Sequence, residues 1–466
     1  MNPPTSMPPR PLTIAAGLCW ALVAVVSFHL AYLIAEAPWC IVLFLYGLLR
    51  LAGLATGRQA FWFGMAVGLA AYSLHLAFFW MLFGPAAIVL WCILSFWLGL
   101  FVVMERACLV RFGPVVWAVT APFLWTGLEY FRSELYYLRF SWLNAGYAFS
   151  RSASLPFLAG FGVYGIGFLL MSWAAYAGVA ARLSKVMRVA AGLALALLST
   201  LPLWRPSHVW PGVKSINIVG VQLEGAGAGQ VKSALEAALK KHPHTDLFVL
   251  SEYAFAGPVP QPILNWCKEH RQWLVAGGEE PISPAQYYNA VFVVGPDGAI
   301  AFHQTKCVPV QFMKDGLPAR EQRVWNSPWG KLGFGICYDA SYTRVTDELM
   351  RQGAQALIFP TMDNTEWGKA EHELHGRIAP LRAAEYAVPV FRLCSSGISQ
   401  FAGPDGRVIS SAPFPGQDAL LCAEMELPPR GRLPLDRPLA ELSVVVAAAL
   451  ILFLTIDAPL SHRRSP

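Results

Sequence analysis

The sequence predicts a multi-pass α-helical membrane domain joined to an α/β domain, and two observations predict this division. Only 14% of the 466 residues are charged, against roughly 25% in typical soluble domains, and the deficit is uneven. Residues 1–213 carry 16 charged side chains, residues 214–427 carry 40, and residues 428–466 carry eight. Long apolar stretches fill the two outer parts, and short strand-like runs fill the middle. We therefore expect a membrane domain at 1–213, an extramembrane domain at 214–427, and a linker with one membrane helix at 428–466.

Seven apolar stretches precede residue 214, and an eighth follows the middle part. A helix needs about 20 residues to cross a hydrocarbon core of roughly 30 Å, and only the fifth and seventh stretches are clearly shorter. We interpret the first as a retained anchor, although Ala35-Glu36-Ala37 resembles a signal-peptide cleavage site, because further spans follow it. The stretches are about 12–34, 38–56, 60–83, 86–110, 114–130, 157–180, 187–204 and 439–458.

Basic residues alternate between the connections, and this alternation predicts orientation. They precede the first stretch and flank the second, fourth and sixth connections, whereas the first and third connections have none. The fifth connection, about 131–156, has Arg132, Arg139 and Arg151, partly offset by Glu134. Because Lys and Arg mark cytoplasmic loops, we expect both termini in the cytoplasm and residues 214–427 on the opposite face. The net charge of +6 is therefore an orientation signal, with no cluster that would indicate nucleic-acid binding. The basic residues are Arg10, Arg50, Arg58, Arg106, Arg111, Arg182, Lys185, Arg188, Arg463 and Arg464.

Short apolar runs alternate with helical stretches in the middle part. SINIVGVQL and LFVLSE flank the helical VKSALEAALKKH, and KLGFGICYD precedes a helix near 342–353 and the run ALIFPT. A longer helix is predicted over about 370–387. Two hairpins are expected at Pro-Asp-Gly turns, one at 296–298 and one at 404–406. This alternation indicates α/β layers with a mixed sheet.

Three residues with complementary chemistry stand near predicted strand ends: Glu252, Lys306 and Cys337. A thiol needs a base or a cation nearby to become a good nucleophile. A carboxylate can take its proton, and an ammonium can stabilise the oxyanion formed on a carbonyl. Taken singly, each residue also has a structural interpretation, as a solvated carboxylate, a surface lysine and a small core residue.

The segments around these residues resemble the nitrilase superfamily. GKLGFGICYDASYTRVTDELMRQGAQALIFPT resembles its nucleophile segment, LFVLSEYAF its glutamate strand, and HQTKCVP its lysine segment. HELHGRIAPLRAAEYAVPVFRLCSSGISQFAGPDGRV resembles the helix and hairpin that follow. A nitrilase-like domain between seven spans and an eighth is similar to the apolipoprotein N-acyltransferase family. Arg-Ala-x-Glu, Pro-Val-x-Arg and Gly-Ile-Ser favour that family over soluble amidases.

The resemblance implies an αββα sandwich in which Cys337 is the nucleophile, Glu252 the general base and Lys306 the stabiliser of the tetrahedral intermediate. The backbone N–H of Tyr338 would donate to the oxyanion, with Asp339 as an auxiliary residue. The implied reaction is ping-pong, without cofactor or metal. A phospholipid gives its acyl chain to Cys337, and the amine of a lipoprotein diacylglyceryl-cysteine, or another amine acceptor, takes it. The implied location is the bacterial inner membrane, with the catalytic domain periplasmic and membrane lipids as partners.

The sequence departs from the family pattern at four places. Phe312 stands where the family has a second glutamate, and Ser251 replaces a proline. Asp339 replaces a glutamate, and Cys394-Ser395-Ser396 replaces an Asn-containing turn. The missing carboxylate has three candidate substitutes: Asp315, Glu321 and Asp339. These departures keep two alternatives open: a membrane-tethered amidase, and a catalytically altered scaffold protein of a conjugation or secretion system.

Other motifs predict structure. His372-Glu373-Leu374-His375 is one residue short of a zinc helix, so we expect a solvated helix face. The nine cysteines form no Cys-x-x-Cys pair, and one alternative is a disulfide among Cys267, Cys307, Cys394 and Cys422. The glycines of FGVYGIGF lie in an apolar stretch and indicate close helix packing.

Overall fold

The computed structural model describes residues 11–151, 158–200, 213–416 and 419–462. The chain divides into two compact units: a helical unit, Met1–Arg205 with Leu435–Pro466, and a sheet unit, Pro206–Pro434. Arg10, Arg463 and Arg464, which contribute to the predicted orientation, lie outside the described residues. The domain bounds inferred from charge stay predictions.

The helical unit contains eight α-helices within its described ranges. Four of its helical segments are long and apolar enough to cross a membrane by length and composition, at Ile14–Leu33, Ala86–Leu135, Gly160–Arg182 and Asp436–Ile456. The predicted total of eight spans stays a prediction. The helices are α1 (Ile14–Leu33), α2 (Ile41–Leu51), α3 (Gly57–His75), α4 (Phe79–Phe83), α5 (Ala86–Tyr130), α6 (Leu158–Val179), α7 (Lys185–Thr200) and, after the sheet unit in the chain, α13 (Asp436–His462).

The fourth and fifth predicted stretches are consecutive parts of α5, which has 45 residues. The helix breaks at Gly113, whose φ is +79°. That left-handed conformation favours glycine. Pro114 follows directly and has no N–H for the helical ladder. The break therefore lies where the sequence separates the two stretches.

The glycines of α6 also mark a break. Gly162 has a φ of +70°, and the helix turn that restarts there presents the N–H groups of Tyr164 and Gly165 to Oδ2 of Asp436, at 2.9 and 3.2 Å. A helix N-terminus favours a carboxylate. A Cβ on Gly165 would lie 3.0 Å from Cβ of Asp436, so the predicted close packing is confirmed there.

The sheet unit contains two six-stranded mixed sheets within its described ranges. The first has strand order β12-β1-β2-β3-β4-β5, and the second has order β11-β10-β9-β8-β7-β6. In both, the two central pairings are parallel and the outer ones antiparallel. The strands are β1 (Ser215–Gln222), β2 (Leu247–Leu250), β3 (Trp273–Ser283), β4 (Gln286–Val294), β5 (Ile300–Thr305), β6 (Val324–Asn326), β7 (Lys331–Phe334), β8 (Ala356–Thr361), β9 (Val390–Cys394), β10 (Ser399–Ala402), β11 (Val408–Ala412) and β12 (Ala419–Glu426).

The sheets pack face to face, with helices outside. A Cβ on Gly220 of β1 would lie 2.5 Å from Leu393 of β9, so the two inner faces meet closely. Val231 and Leu235 of one helix, with Ile263 and Trp266 of another, pack on the outer face of the first sheet. The nitrilase-like αββα fold is confirmed. Its helices are α8 (Ala228–Lys241), α9 (Gln261–His270), α10 (Thr343–Arg351), α11 (Lys369–His375) and α12 (Ile378–Tyr386).

Both predicted hairpins are confirmed, as β4–β5 and β10–β11. Three further hairpins were not predicted: β3–β4, β6–β7 and β9–β10. The turn residues of the first, Pro284 and Ala285, lack the Gly or Asn typical of a tight turn. The predicted helix over about 370–387 is wrong as one element. It divides between α11 and α12 at residues 376 and 377, because Pro380 has no N–H to bond to the carbonyl of Gly376, four residues earlier, and its ring clashes with that carbonyl.

Candidate active site

The three predicted residues come together at strand ends of the sheet unit. Glu252 follows β2, Lys306 follows β5 directly, and Cys337 begins a short 3-10 helix after β7. Their side chains are 2%, 1% and 6% exposed. Charged residues are rarely buried without partners. This placement therefore indicates that the three side chains form one polar site.

Both carboxylate oxygens of Glu252 are hydrogen-bonded. Oε1 accepts from Nδ2 of Asn289 at 2.6 Å and from Nζ of Lys306 at 2.8 Å. Oε2 accepts from the N–H of Met362 at 2.8 Å. These three donors, from β4, the end of β5 and the end of β8, fix the orientation of the carboxylate.

Lys306 lies between two acids. Its Nζ is 2.8 Å from Oε1 of Glu252 and 2.7 Å from Oδ2 of Asp315. Burial lowers the pKa of Lys306, but these two carboxylates raise it well above its ordinary value. The side chain is therefore a fixed ammonium.

Asp315 is one of the three acids that could replace the missing family glutamate, and the sequence alone did not distinguish between them. It accepts from the hydroxyl of Tyr253 at 2.9 Å, from Nδ2 of Asn289 at 2.8 Å and from the N–H of Val310 at 2.7 Å. Glu321 is exposed, and the carboxylate of Asp339 accepts hydrogen bonds from backbone N–H groups. Among the three candidates, Asp315 is the one beside the lysine.

Phe312 lies in the loop that carries Asp315. It has a φ of +68°, a conformation uncommon for a bulky residue, and it is 67% exposed. Phe312 thus occupies the glutamate's place in the sequence, whereas Asp315 occupies the place beside Lys306.

Cys337 has a φ of +49°, a strained conformation that recurs at functional sites. Its thiol donates to the carbonyl oxygen of Met362, with sulfur and oxygen 3.8 Å apart. Burial and then Glu252 raise the pKa of Cys337 well above its ordinary value, and Lys306 only partly opposes them. The resting group is therefore a thiol that needs a base.

Asp339 connects the nucleophile turn to the lysine segment. Its carboxylate accepts from the N–H groups of Cys307, Val308 and Ile336, at 3.1, 2.8 and 3.1 Å. Burial raises its pKa to about 6, although Lys306 and these amides oppose the rise. These contacts indicate that it holds two segments together. The ring of the neighbouring Tyr338 packs edge-on against Tyr342.

The predicted solvated face of α11 is wrong. His372 and His375 are both buried, because this helix face packs on the loop after β8. Nε2 of His372 lies 3.0 Å from the carbonyl oxygen of Asn364, and Nδ1 of His375 lies 2.7 Å from Asp363. The spacing of polar residues along a helix does not reveal whether they face solvent or protein, so this burial could not be inferred from the pattern.

All nine cysteines lie within the residues that the structure describes, and none of them forms a disulfide there. Cys307 follows the catalytic lysine candidate, and its sulfur accepts from Nε2 of Gln322 at 2.9 Å. Burial and Asp339 raise the pKa of Cys307 to about 12, so this thiol is a poor nucleophile.

A cavity of about 340 Å³ opens beside Glu252. Most of its wall is aliphatic, and Glu224 contributes a second carboxylate. The oxygens of Glu224 accept from the hydroxyl and N–H of Thr365. The residues lining it include Val221, Leu223, Glu224, Ala226, Leu250, Ser251, Tyr253, Ala254, Met362 and Ser395.

These groups suit acyl transfer through a covalent intermediate. The thiol of Cys337 can act as a nucleophile, Glu252 can accept its proton, and the Lys306 ammonium can stabilise negative charge on a carbonyl oxygen. Asp315 holds that ammonium from its other side.

Two family models match the chain. Residues 15–176 match the apolipoprotein N-acyltransferase N-terminal domain, and residues 224–431 match carbon-nitrogen hydrolase. The two matches fall in the helical unit and the sheet unit respectively.

Several known proteins are similar to part of this chain. The apolipoprotein N-acyltransferase of Bdellovibrio bacteriovorus is 25% identical over 219 residues, which span 38% of this chain and 40% of that protein's length. The omega-amidase NIT2 of Danio rerio is 27% identical over 223 residues, 44% of this chain and 79% of that protein. Among solved structures, a carbon-nitrogen hydrolase from Helicobacter pylori is 20% identical with a TM-score of 0.40, over 51% of this chain and 93% of that one.

Proposed function

Because the chain belongs to the apolipoprotein N-acyltransferase family of the carbon–nitrogen hydrolase superfamily, we propose that it is a membrane N-acyltransferase. It moves a fatty acyl chain from a phospholipid, through a thioester on Cys337, to the N-terminal amine of a lipoprotein diacylglyceryl-cysteine. The observation that carries the proposal is the convergence of Glu252 and Cys337 on Met362, with Lys306 bound to Glu252.

In the first half-reaction, Glu252 accepts the thiol proton and sulfur attacks the ester carbonyl of the phospholipid. Lys306 and the N–H of Tyr338 stabilise the oxyanion. The ester C–O bond breaks, a thioester remains on Cys337, and Glu252 returns its proton to the departing oxygen of the lysophospholipid.

In the second half-reaction, the acceptor amine attacks the thioester carbonyl. Glu252 accepts a proton from nitrogen, the C–S bond breaks, and the proton returns to the sulfur of Cys337. The amide product and the original thiol result. The cavity beside Glu252 supports an amine acceptor, because the carboxylates of Glu224 and Glu252 can accept hydrogen bonds from an amine and the apolar part of the wall accommodates its apolar neighbours.

Both substrates are lipids, which explains the membrane helices. Extracting an acyl chain from a bilayer costs roughly 0.8 kcal/mol per CH₂, so an enzyme held at the bilayer avoids that cost. The distribution of basic residues supports a bacterial inner-membrane location with the sheet unit periplasmic and both termini cytoplasmic.

The direct test supplies purified full-length protein with phospholipid and a diacylglyceryl peptide whose N-terminal amine is free. We expect the peptide to gain one acyl chain by mass. The matched control is the same peptide with its amine acetylated, which should gain none. A free-amine peptide that stays unmodified would contradict the proposed reaction.

A second candidate function is a membrane-tethered amidase, favoured by the similarity to omega-amidases, which spans 79% of the Danio rerio protein. In that reaction, water rather than an amine would attack the thioester. Ammonia release from small aliphatic amides by the full-length protein, together with no acyl transfer, would favour this function.

A further inference from the structure

A second buried cluster of charged side chains lies next to Cys337 and takes no part in the proposed mechanism. It contains Asp363, Glu371, His375 and Arg392, none more than 3% exposed. Asp363 follows Met362, the residue that contacts both Glu252 and Cys337. The cluster and the nucleophile are therefore joined through one peptide unit.

Asp363 is the centre of this cluster. Its carboxylate pairs with Nδ1 of His375 at 2.7 Å and with the guanidinium of Arg392. Its backbone carbonyl accepts from the hydroxyls of Ser395 and Ser396, at 3.0 and 2.6 Å. These contacts hold both the side chain and the backbone of Asp363 in a fixed position.

His375 lies close to the nucleophile. A ring nitrogen of His375, a carboxylate oxygen of Asp363 and Sγ of Cys337 all lie within 4.8 Å of one another. Glu371, one turn earlier on α11, places Oε1 3.5 Å from Nδ1 of the same ring. A charge on this ring therefore acts on the sulfur at short range, in a water-poor interior where Coulomb interactions are strong.

The charges around the ring favour its protonated form. Burial lowers the pKa of His375, but Asp363 and then its hydrogen bonds raise it above the ordinary value, with Arg392 opposing. The other titratable groups facing the cluster are His372 on the same helix, Cys394 on β9 and Cys337 itself.

Cys337 needs such a cation. Glu252, Asp363 and Asp315 all raise the pKa of its thiol, and Lys306 lowers it. Lys306 is paired with two carboxylates, so it only partly offsets the negative groups around the sulfur. A thiolate formed there would face excess negative charge unless further positive groups balance it. Arg392 also interacts electrostatically with Cys337, so a charged His375 adds to the positive charge that the guanidinium supplies.

We propose that His375 is a positioning residue for Cys337: held as an imidazolium by Asp363, it supplies the positive charge that stabilises the Cys337 thiolate. The inference rests on the proposed function only in taking Cys337 as the nucleophile. No atom is transferred by His375. It acts on sulfur electrostatically while Glu252 moves the proton.

The test measures the pH dependence of Cys337 alkylation by iodoacetamide in the full-length protein, with each cysteine quantified by mass spectrometry. In His375→Gln we expect the midpoint to rise by about one pH unit, with roughly tenfold slower alkylation at pH 7. Glu371→Gln should shift it in the same direction by less. His372→Gln is the matched control, since His372 is buried on the same helix and contacts the acids of the cluster but bonds to backbone carbonyls, and its midpoint should shift clearly less than that of His375→Gln.

A His375→Gln profile that superimposes on wild type would overturn the inference, and so would an equal shift in His372→Gln, which would indicate general loosening of α11. If His375→Gln does not fold, the alkylation profile of Glu371→Gln is the test, and an unshifted midpoint in that variant would overturn the inference. Thioester formation by the wild-type protein from phospholipid separates the two proposals. If the thioester forms but the alkylation midpoint of His375→Gln is unshifted, only the role of His375 is overturned. If the midpoint shifts but no thioester forms, only the proposed acyl transfer is overturned.

Discussion

Nζ of Lys306 lies 2.7 Å from Oδ2 of Asp315, an acid nine residues further along the chain. The intervening loop turns back through Phe312 in a left-handed conformation, and Val310 donates its N–H to Asp315. The loop thus returns a carboxylate to the lysine although the residue at the family's glutamate position is aromatic. Lys306 therefore has a carboxylate on each of two sides, Glu252 and Asp315.

Asp315→Asn is therefore expected to reduce acyl transfer by about 100-fold or more, because the amide cannot balance the buried ammonium and places a donor near it. The measurement is the initial rate of peptide acylation. Glu321→Gln is the control, since Glu321 is exposed, and its rate should stay near wild type. Equal rates for Asp315→Asn and wild type would contradict the role of Asp315.

Gly277 sets the position of Glu252. A Cβ there would lie 2.5 Å from the carbonyl oxygen of Ser251 and 2.6 Å from Cα of Glu252, so Gly277→Ala must displace the strand end that carries the base. We expect at least tenfold loss of acylation rate, since small misplacements of catalytic groups lower rates strongly. Gly229→Ala is the control. Nothing lies within 4 Å of a Cβ at Gly229 in α8, and the substitution should stabilise the protein by about 0.5–1 kcal/mol. A wild-type acylation rate in Gly277→Ala would contradict the role of Gly277 in positioning Glu252.

Backbone strain at Cys337 predicts a difference between two inactive variants. Its φ of +49° costs a residue with a Cβ about 1 kcal/mol or more, and glycine avoids that cost. Part of this gain is offset by the greater flexibility of glycine in the unfolded chain. We expect Cys337→Gly to unfold at a higher temperature than Cys337→Ala. The reverse order would show that the turn is not strained in solution.

The buried carboxyl of Asp339 predicts a pH dependence of stability. Burial raises its pKa to about 6 from an ordinary value of 3.8, so the folded protein binds this proton more tightly than the unfolded chain. Its stabilising contribution is complete below about pH 4 and disappears as the pH rises through 6. The wild-type unfolding free energy should therefore fall relative to that of Asp339→Asn between pH 4 and 7, by up to about 3 kcal/mol. Parallel curves for the two proteins would contradict the raised pKa.

Local patterns predicted most of the sheet unit. Apolar runs bounded by turn residues identified β1, β2, β7 and β8, and Pro-Asp-Gly identified two hairpins. These features depend on residues close in sequence, where backbone preferences are strong. The resemblance to nitrilases added the αββα arrangement and the roles of Glu252, Lys306 and Cys337, which the structure brings together. Their catalytic roles stay predictions.

Features set by loop geometry escaped prediction. Choosing Asp315 over Glu321 requires the path of the loop through Phe312, which no periodicity encodes. The burial of His372 and His375 requires knowing that α11 packs on the loop containing Asp363. In both cases the residue is placed by a charged partner, Lys306 for Asp315 and Asp363 for His375, that lies on the other side of a loop. A single sequence does not specify such pairings.

The central claim is that Cys337 carries the acyl chain, and the most direct measurement is the intact mass of the purified protein after incubation with phospholipid alone. We expect the wild-type mass to rise by one fatty acyl group, with the adduct located on Cys337 and removed by hydroxylamine. Cys307→Ser, which alters a neighbouring thiol outside the proposed mechanism, should acquire the same adduct, and Cys337→Ala should acquire none. An unchanged wild-type mass, or an identical adduct in Cys337→Ala, would contradict the account.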